Sequence, residues 1–283
     1  MSSDDSALRY WLVNQKIDEC EFVVIHDYQD EFTRKYLQLL KSETTNNLVF
    51  QEGIFGNPGG ARNQGLKLST GKWIMFCDCD DFPYIHNVLD KIKELESVAK
   101  DTNVVIGNFR IINKESDVIH ESNRDKLSLT EIMSTMPGLW RMVFKRELII
   151  QVSFPNLRMG EDLVFLSRIG WQIRGIIFSS ELFYDYILGG SSQLTRNERA
   201  IQELYLAIPL LADAFIQSDS AAQKQVAITL ISIQLLSLLK KRNISGFNYA
   251  LEKIKDKKIP RWLVLLAMFK TFSIRLKTNV MSK

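Results

Sequence analysis

Apolar and polar positions follow two rhythms along this chain, and the rhythm changes near residue 195. Leu8, Trp11, Leu12 and Ile17 recur at helical spacing behind the capping candidates Ser2 to Asp5, so residues 2–19 are expected to be helical. Phe22-Val23-Val24-Ile25 is a short apolar, β-branched run that predicts a buried strand ending at His26-Asp27. A helix is expected over Phe32 to Leu40, and a short strand over Leu48 to Phe50. Asn57-Pro58-Gly59-Gly60 reads as a turn feeding a helix that runs to Leu68, with Asn57 as the cap and Pro58 at the first helical position. Gly71 ends that helix, and Trp73 to Cys77 form an unbroken apolar run of strand length. A helix near His86–Lys100 and a strand at Val104–Phe109, extended through Ile112, follow. Strands alternating with helices indicate an α/β layered domain with a largely parallel sheet.

Beyond residue 195 the strand signals vanish, and segments 197–217 and 221–242 carry long helical periodicities. The expected organisation is therefore an α/β domain over 1–195 and a helical region over 196–283. From Lys240 onward twelve basic residues face only Glu252 and Asp256, so this tail carries about +10 in a chain whose net charge is +3.

Composition narrows the function classes. Apolar residues at 46% and charged residues at 24% suit a globular protein of 283 residues rather than a disordered one. Cys20, Cys77 and Cys79 offer neither a disulfide framework nor a second pair to complete a zinc site, and are expected as free thiols of a reducing cytoplasm. The start, MSSDDSALRY, has no apolar run behind a basic residue, so no secretion signal is read there. No uninterrupted apolar stretch approaches the roughly 18 residues of a membrane span. The tail lacks aromatic and basic residues interleaved along a groove pattern, which argues against nucleic acid as a partner.

The candidate chemistry is Asp78-Cys79-Asp80-Asp81. In an open α/β sheet ligands bind beyond the carboxyl ends of the strands, and the run Trp73–Cys77 delivers three aspartates to that place. Carboxylates so close repel one another, and a hard divalent cation, Mg²⁺ or Mn²⁺, offsets the repulsion with phosphate oxygens completing its shell. Alternation along an extended strand would send Asp78 and Asp80 to one side. Just upstream, glycines of the 57–65 segment permit close backbone approach, a helix N-terminus there favours an anion, and Arg62 offers a planar fork to a diphosphate.

Taken together, Asn57-Pro58-Gly59-Gly60-Ala61-Arg62-Asn63-Gln64-Gly65, Ser69-Thr70-Gly71-Lys72-Trp73-Ile74-Met75-Phe76 and Asp78-Cys79-Asp80-Asp81 resemble the central signature of family 2 glycosyltransferases with the GT-A fold. Glu21 to Asp27 is similar to that family's second strand, and Met159-Gly160-Glu161-Asp162 resembles its Glu-Asp motif. The resemblance covers about residues 5–195 and implies a Rossmann-like, nucleotide-diphospho-sugar transferase domain. It implies Asp27 beside the nucleotide base, Arg62 near the uridine and diphosphate, Asp78 near the ribose and Asp80 on the metal. Asp162 matches the family's catalytic base, with Glu161 in a supporting or acceptor-facing role. Trp140 is readable either as a stacking surface for an acceptor sugar or as core.

The implied activity is an inverting transfer from a nucleotide-sugar, UDP-linked, to a glycan or lipid-linked acceptor in surface polysaccharide synthesis. Two departures from the family pattern stand out. The chain reads as starting in the helix that follows the family's first strand and its Pro-Thr-Tyr-Asn type loop, and His26 replaces the first of a usual aspartate pair. These support a rival reading, a catalytically impaired, membrane-associated assembly subunit; a nucleotidyltransferase is the enzymatic rival. Ile259 to Lys270, apolar, flanked by basic residues and edged by Trp262, reads either as an interfacial helix on an anionic inner leaflet or as a packed tail helix.

Overall fold

A computed structural model gives the placement of residues 6–27, 31–113, 115–122, 128–189 and 203–278. They form two compact units. The first holds the described residues of Met1–Asp125, Trp140–Gln151 and Arg174–Ser192, the second those of Lys126–Leu139, Val152–Ile173 and Gln193–Lys283. The units thus interleave along the sequence instead of dividing at residue 195, because the helices of 126–139 and 152–173 pack on the later helical segments.

In the first unit, α1 (Ser6–Arg9) continues as a π-helical turn over Tyr10–Asn14. The helix expected over 2–19 therefore ends at Asn14, and residues 2–5 lie outside the described ones. Asn46 takes over where the helix stops: its side chain accepts the Ile17 N–H at 2.8 Å and donates to the carbonyls of Trp11, Leu12 and Gln15. Helix-end carbonyls need such partners. Strand β1 (Glu21–Asp27) pairs in parallel with β2 (Asn47–Gly53), joined through α2 (Glu31–Glu43), and the register sets Asp27 opposite Gly53. Leu12, Leu37 and Leu40 are the buried centre of this layer, with Phe22, Val24, Leu48 and Phe50 packed around them. Phe22 to Ile25 are half-buried rather than buried, since among the described residues β1 has β2 as its strand neighbour and no other.

The larger sheet follows α3 (Pro58–Leu68). It is built from β3 (Trp73–Met75), β4 (Phe82–Pro83), β5 (Val104–Ile112), β6 (Val118–Glu121), β7 (Met142–Lys145) and β8 (Ile176–Ile187), in the order β3-β7-β5-β8-β4 with β6 on β5. The parallel pairing expected of the α/β layer is found in β1–β2 and β5–β8; the contacts made by β3, β4, β6 and β7 are antiparallel. Of these, β4, β6 and β7 are two to four residues long and too short to signal in the sequence. Strand β5 is the centre of the sheet, and α4 (Ile85–Val98) covers it by packing Val88 and Leu95 against Val105, Val143 and Phe183. Gly107 is required there: a Cβ would stand 2.1 Å from the Phe183 ring.

The second unit is helical: α5 (Leu129–Thr135), α6 (Glu161–Arg168), α7 (Ala207–Gln217), α8 (Ala221–Lys240), α9 (Ile244–Asp256) and α10 (Arg261–Lys277). Helix α8 is the hub, in contact with the other five. Its residues from Val226 to Leu235 are buried all round, as expected of a central helix. Among the described residues α8 is also the one helix long and apolar enough to cross a membrane, and 61% of its apolar window is buried.

Candidate active site

The site elements of the first unit are set by local chemistry. Asn57 is extended and its side chain accepts the Gly60 N–H at 2.8 Å, while Pro58 opens α3, as the turn sequence predicts. Asp27, at the end of β1, reaches across to the same loop: its two carboxylate oxygens accept the N–H groups of Phe55 at 2.8 Å and Gly56 at 3.0 Å. Gly56 has φ +73°, a conformation that suits glycine. A carboxylate accepting two backbone N–H groups still has lone pairs to spare, so Asp27 fixes the entry to α3 without exhausting its acceptor capacity.

Arg62, in the second turn of α3, extends to the acidic cluster. Its Nη2 donates to Asp78 Oδ1 at 2.9 Å, with the two side chains 20% and 40% exposed. The cluster itself is a turn and not strand. β3 stops at Met75, two residues short of the expected end, and the Asp81 N–H donates to the Asp78 carbonyl at 3.2 Å. The alternation argument for Asp78 and Asp80 therefore gives way to turn geometry.

Strand β8 holds this turn. The Asp78 N–H donates to the Tyr184 hydroxyl at 3.0 Å, and Asp81 Oδ1 accepts the Ile187 N–H at 2.8 Å. Directly after the turn, Phe82 and Pro83 pair with Asp185 and Tyr184. Asp81 is 2% exposed, and its Oδ2 is buried with no hydrogen-bond partner among the described residues. Burial, reinforced by the charges of Asp78 and Asp80, pushes its carboxyl up to about 8. Burial likewise raises the Tyr184 phenol well above the ordinary tyrosine range.

Two further groups flank the turn. Asp185 is buried and accepts from Arg110 Nε at 2.8 Å and Nη2 at 2.6 Å, and from the Tyr84 hydroxyl at 2.7 Å. Arg110 Nη2 also donates to the Tyr84 oxygen at 2.5 Å. The bidentate pair and the phenol brace β4, β5 and β8 at the turn's edge. Trp140 stacks on Tyr184 and Tyr186 with ring centroids at 4.7 and 5.6 Å, meets Phe109 edge-on, and is 9% exposed. The indole serves the aromatic core under β8 in this structure.

Sequence reasoning missed Tyr84, Arg110 and Asp185 altogether. The spacing Tyr184-x-Tyr186, with Asp185 between, was the available signal: it sends both phenols to one face and the carboxylate to the other.

Glu161 and Asp162 belong to the second unit, in the first turn of α6. Gly160 precedes them with φ +84°, where a Cβ would stand 3.1 Å from Ala207 Cβ and 3.2 Å from Gln234 Nε2. Glu161 is 6% exposed, whereas Asp162 is half-buried and its Oδ1 accepts the Leu163 N–H at 2.8 Å. Acidic residues at a helix start are stabilised by the helix dipole.

A metal is tested by the donor set. Among the described residues no three His, Cys, Asp or Glu side chains converge as a ready cage. Mg²⁺ or Mn²⁺ bound with a diphosphate needs only one or two protein carboxylates. Asp78 and Asp80 in one turn, beside the unpartnered buried Oδ2 of Asp81, fit that smaller demand.

The sequence profile of Glycosyl transferase family 2 matches residues 10–160. Glycosyltransferase GlyG of Streptococcus pneumoniae serotype 4 is 23% identical over 193 residues, 62% of this chain and 63% of its own length. The poly(ribitol-phosphate) beta-glucosyltransferase of Bacillus spizizenii is 25% identical over 187 residues, 62% of this chain but 29% of that protein. The Escherichia coli enzyme WfgD, a UDP-Glc:alpha-D-GlcNAc-diphosphoundecaprenol beta-1,3-glucosyltransferase, is 28% identical over 159 residues, 55% of this chain and 60% of its own. The match thus spans less than two thirds of each relative. Among solved structures, S. aureus TarS 1-349 in complex with UDP-GlcNAc superposes with a TM-score of 0.67 at 16% identity, over 90% of this chain and 80% of that one. That likeness gives the GT-A fold. With the signature 57–81 lying inside the matched segment, the chain belongs to glycosyl transferase family 2.

Proposed function

We propose that this glycosyltransferase moves a sugar from a UDP-sugar to a hydroxyl of a glycan or lipid-linked acceptor, with inversion at the anomeric carbon. The observation that carries the donor side is the 2.9 Å pair between Arg62 and Asp78, which places a cation and a carboxylate together at the acidic turn. Arg62 then offers its remaining N–H donors to a diphosphate, and Asp78 accepts from the ribose hydroxyls. Asp27, steady on the loop before α3, accepts from the base. Asp80 holds the divalent metal, Mn²⁺ or Mg²⁺. When bound, that ion supplies charge neutralisation at the leaving diphosphate.

The acceptor oxygen attacks the anomeric carbon as the bond from that carbon to the diphosphate oxygen breaks, and Asp162 takes the acceptor's proton. UDP leaves with the bonding electrons. Glu161, buried beside it, supports the start of α6. The UDP-GlcNAc complex of TarS and the UDP-Glc donor in the name of WfgD support UDP as the nucleotide, and the diphosphoundecaprenol acceptor of WfgD supports a lipid-linked acceptor.

Calorimetry with UDP and Mn²⁺ tests the reading. Wild type is expected to bind UDP more tightly as Mn²⁺ is added, and Asp80→Ala to lose that gain while keeping its fold. A wild type that ignores UDP at every Mn²⁺ concentration overturns the proposal in favour of a non-catalytic homologue.

A further inference from the structure

We propose that α10 seats this protein on an anionic lipid surface, through an apolar face that the second unit holds outward. Helix α10 is pinned along one side only. Val264 and Thr271 are each 2% exposed, and Arg275 Nε donates to the Ser134 carbonyl of α5 at 2.7 Å. On the other side Trp262, Leu265 and Phe269 are 67%, 65% and 70% exposed, and Leu266, Phe272 and Leu276 are exposed with them.

At about 100° per residue these six fall within an arc of about 120°, and the buried pair lies opposite. The same arithmetic puts exposed Arg261 at one margin of the arc, and exposed Lys270 and Lys277 at the other. The helix contains no Asp or Glu. Apolar side chains on one arc with basic residues along both margins is the pattern of a helix lying in a lipid interface, where the rings enter the acyl boundary and the cations meet anionic headgroups.

Charge decides between this occupant and a second copy of the chain. Two α10 faces pressed together would align basic margins and bring together two tails of about +10 each, with no carboxylate on α10 to compensate. An anionic bilayer complements the same charges. The inference stands whichever donor the first unit uses.

The test is sedimentation of the full chain with vesicles of phosphatidylglycerol and phosphatidylcholine, and with phosphatidylcholine alone, at rising salt. Binding is expected to the anionic vesicles, weakening with salt, and about tenfold or more weaker for the triple variant Trp262→Ser, Leu265→Ser, Phe269→Ser. Because those side chains are exposed, the thermal midpoint of the variant should match wild type, and UDP binding by calorimetry should be unchanged. The pair Lys270→Glu and Lys277→Glu should reduce the preference for anionic lipid. No vesicle binding, equal binding by the triple variant, or a dimer in light scattering that the triple variant dissolves would each overturn the proposal.

Discussion

The Tyr184 hydroxyl accepts the backbone N–H of Asp78 at 3.0 Å, although the two residues are 106 positions apart. One buried phenol on β8 thus fixes the first carboxylate of the acidic turn, which positions it for Arg62. Tyr184→Phe would leave the Asp78 N–H without its acceptor. The expected cost is about 1–3 kcal/mol of stability, seen as a lower thermal midpoint. Weaker UDP binding should accompany it, since the turn loses one of its ties to β8.

Arg62 and Asp78 form a directional pair, so charge alone should not satisfy it. Arg62→Lys keeps the charge and loses the planar fork. UDP binding is expected to weaken about tenfold, or about 1.4 kcal/mol, and further in Arg62→Ala. Titration calorimetry reads both; equal affinity in wild type and Arg62→Lys would separate Arg62 from the diphosphate.

Asp162 is assigned to proton transfer and not to donor binding. Asp162→Asn should therefore lower kcat by about two to four decades, with UDP affinity by calorimetry unchanged. A matching fall in UDP affinity would move Asp162 to the donor side.

Tyr84 provides a pH signature. Burial, followed by its hydrogen bond to Asp185, raises its phenol from 10.0 to about 12. The folded form keeps this proton longer than the unfolded chain does, so stability from this group is complete below pH 10 and is lost as the pH rises through about 12. Tyrosinate absorbance in wild type minus Tyr84→Phe should show one late-titrating phenol, and the variant should show a shallower loss of stability over that window.

Much of the site was legible because its chemistry is local. Asn57 capping the N–H of Gly60, Pro58 at the first helical position and Arg62 one turn later are all consequences of a nine-residue stretch. The apolar run before Asp78 announced a strand, and the structure shortened it to Trp73–Met75 because the carbonyl of Asp78 is used in a turn. Long-range partners left no such trace. Tyr184 under Asp78, Ile187 against Asp81, and Arg110 with Tyr84 on Asp185 depend on β4 pairing with β8, and β4 is two residues long. The sorting of α5 and α6 into the helical unit was equally silent, because an amphipathic helix does not state which neighbour it covers. The apolar tail helix was visible in the sequence; which of its residues face outward was not.

The interleaving of the two units limits how this protein can be recombined. Described residues 128–139 and 152–173 belong to the helical unit, ahead of those from 203 onward. A graft that replaced everything after residue 195 with another protein's C-terminus would leave α5 and α6 facing a foreign surface where α8 now lies. Ile132, Met133, Val164 and Phe165, all at most 1% exposed, would have to be rebuilt with the graft. An exchange of the helical part therefore has to carry α5 and α6 along with the helices from α7 to α10.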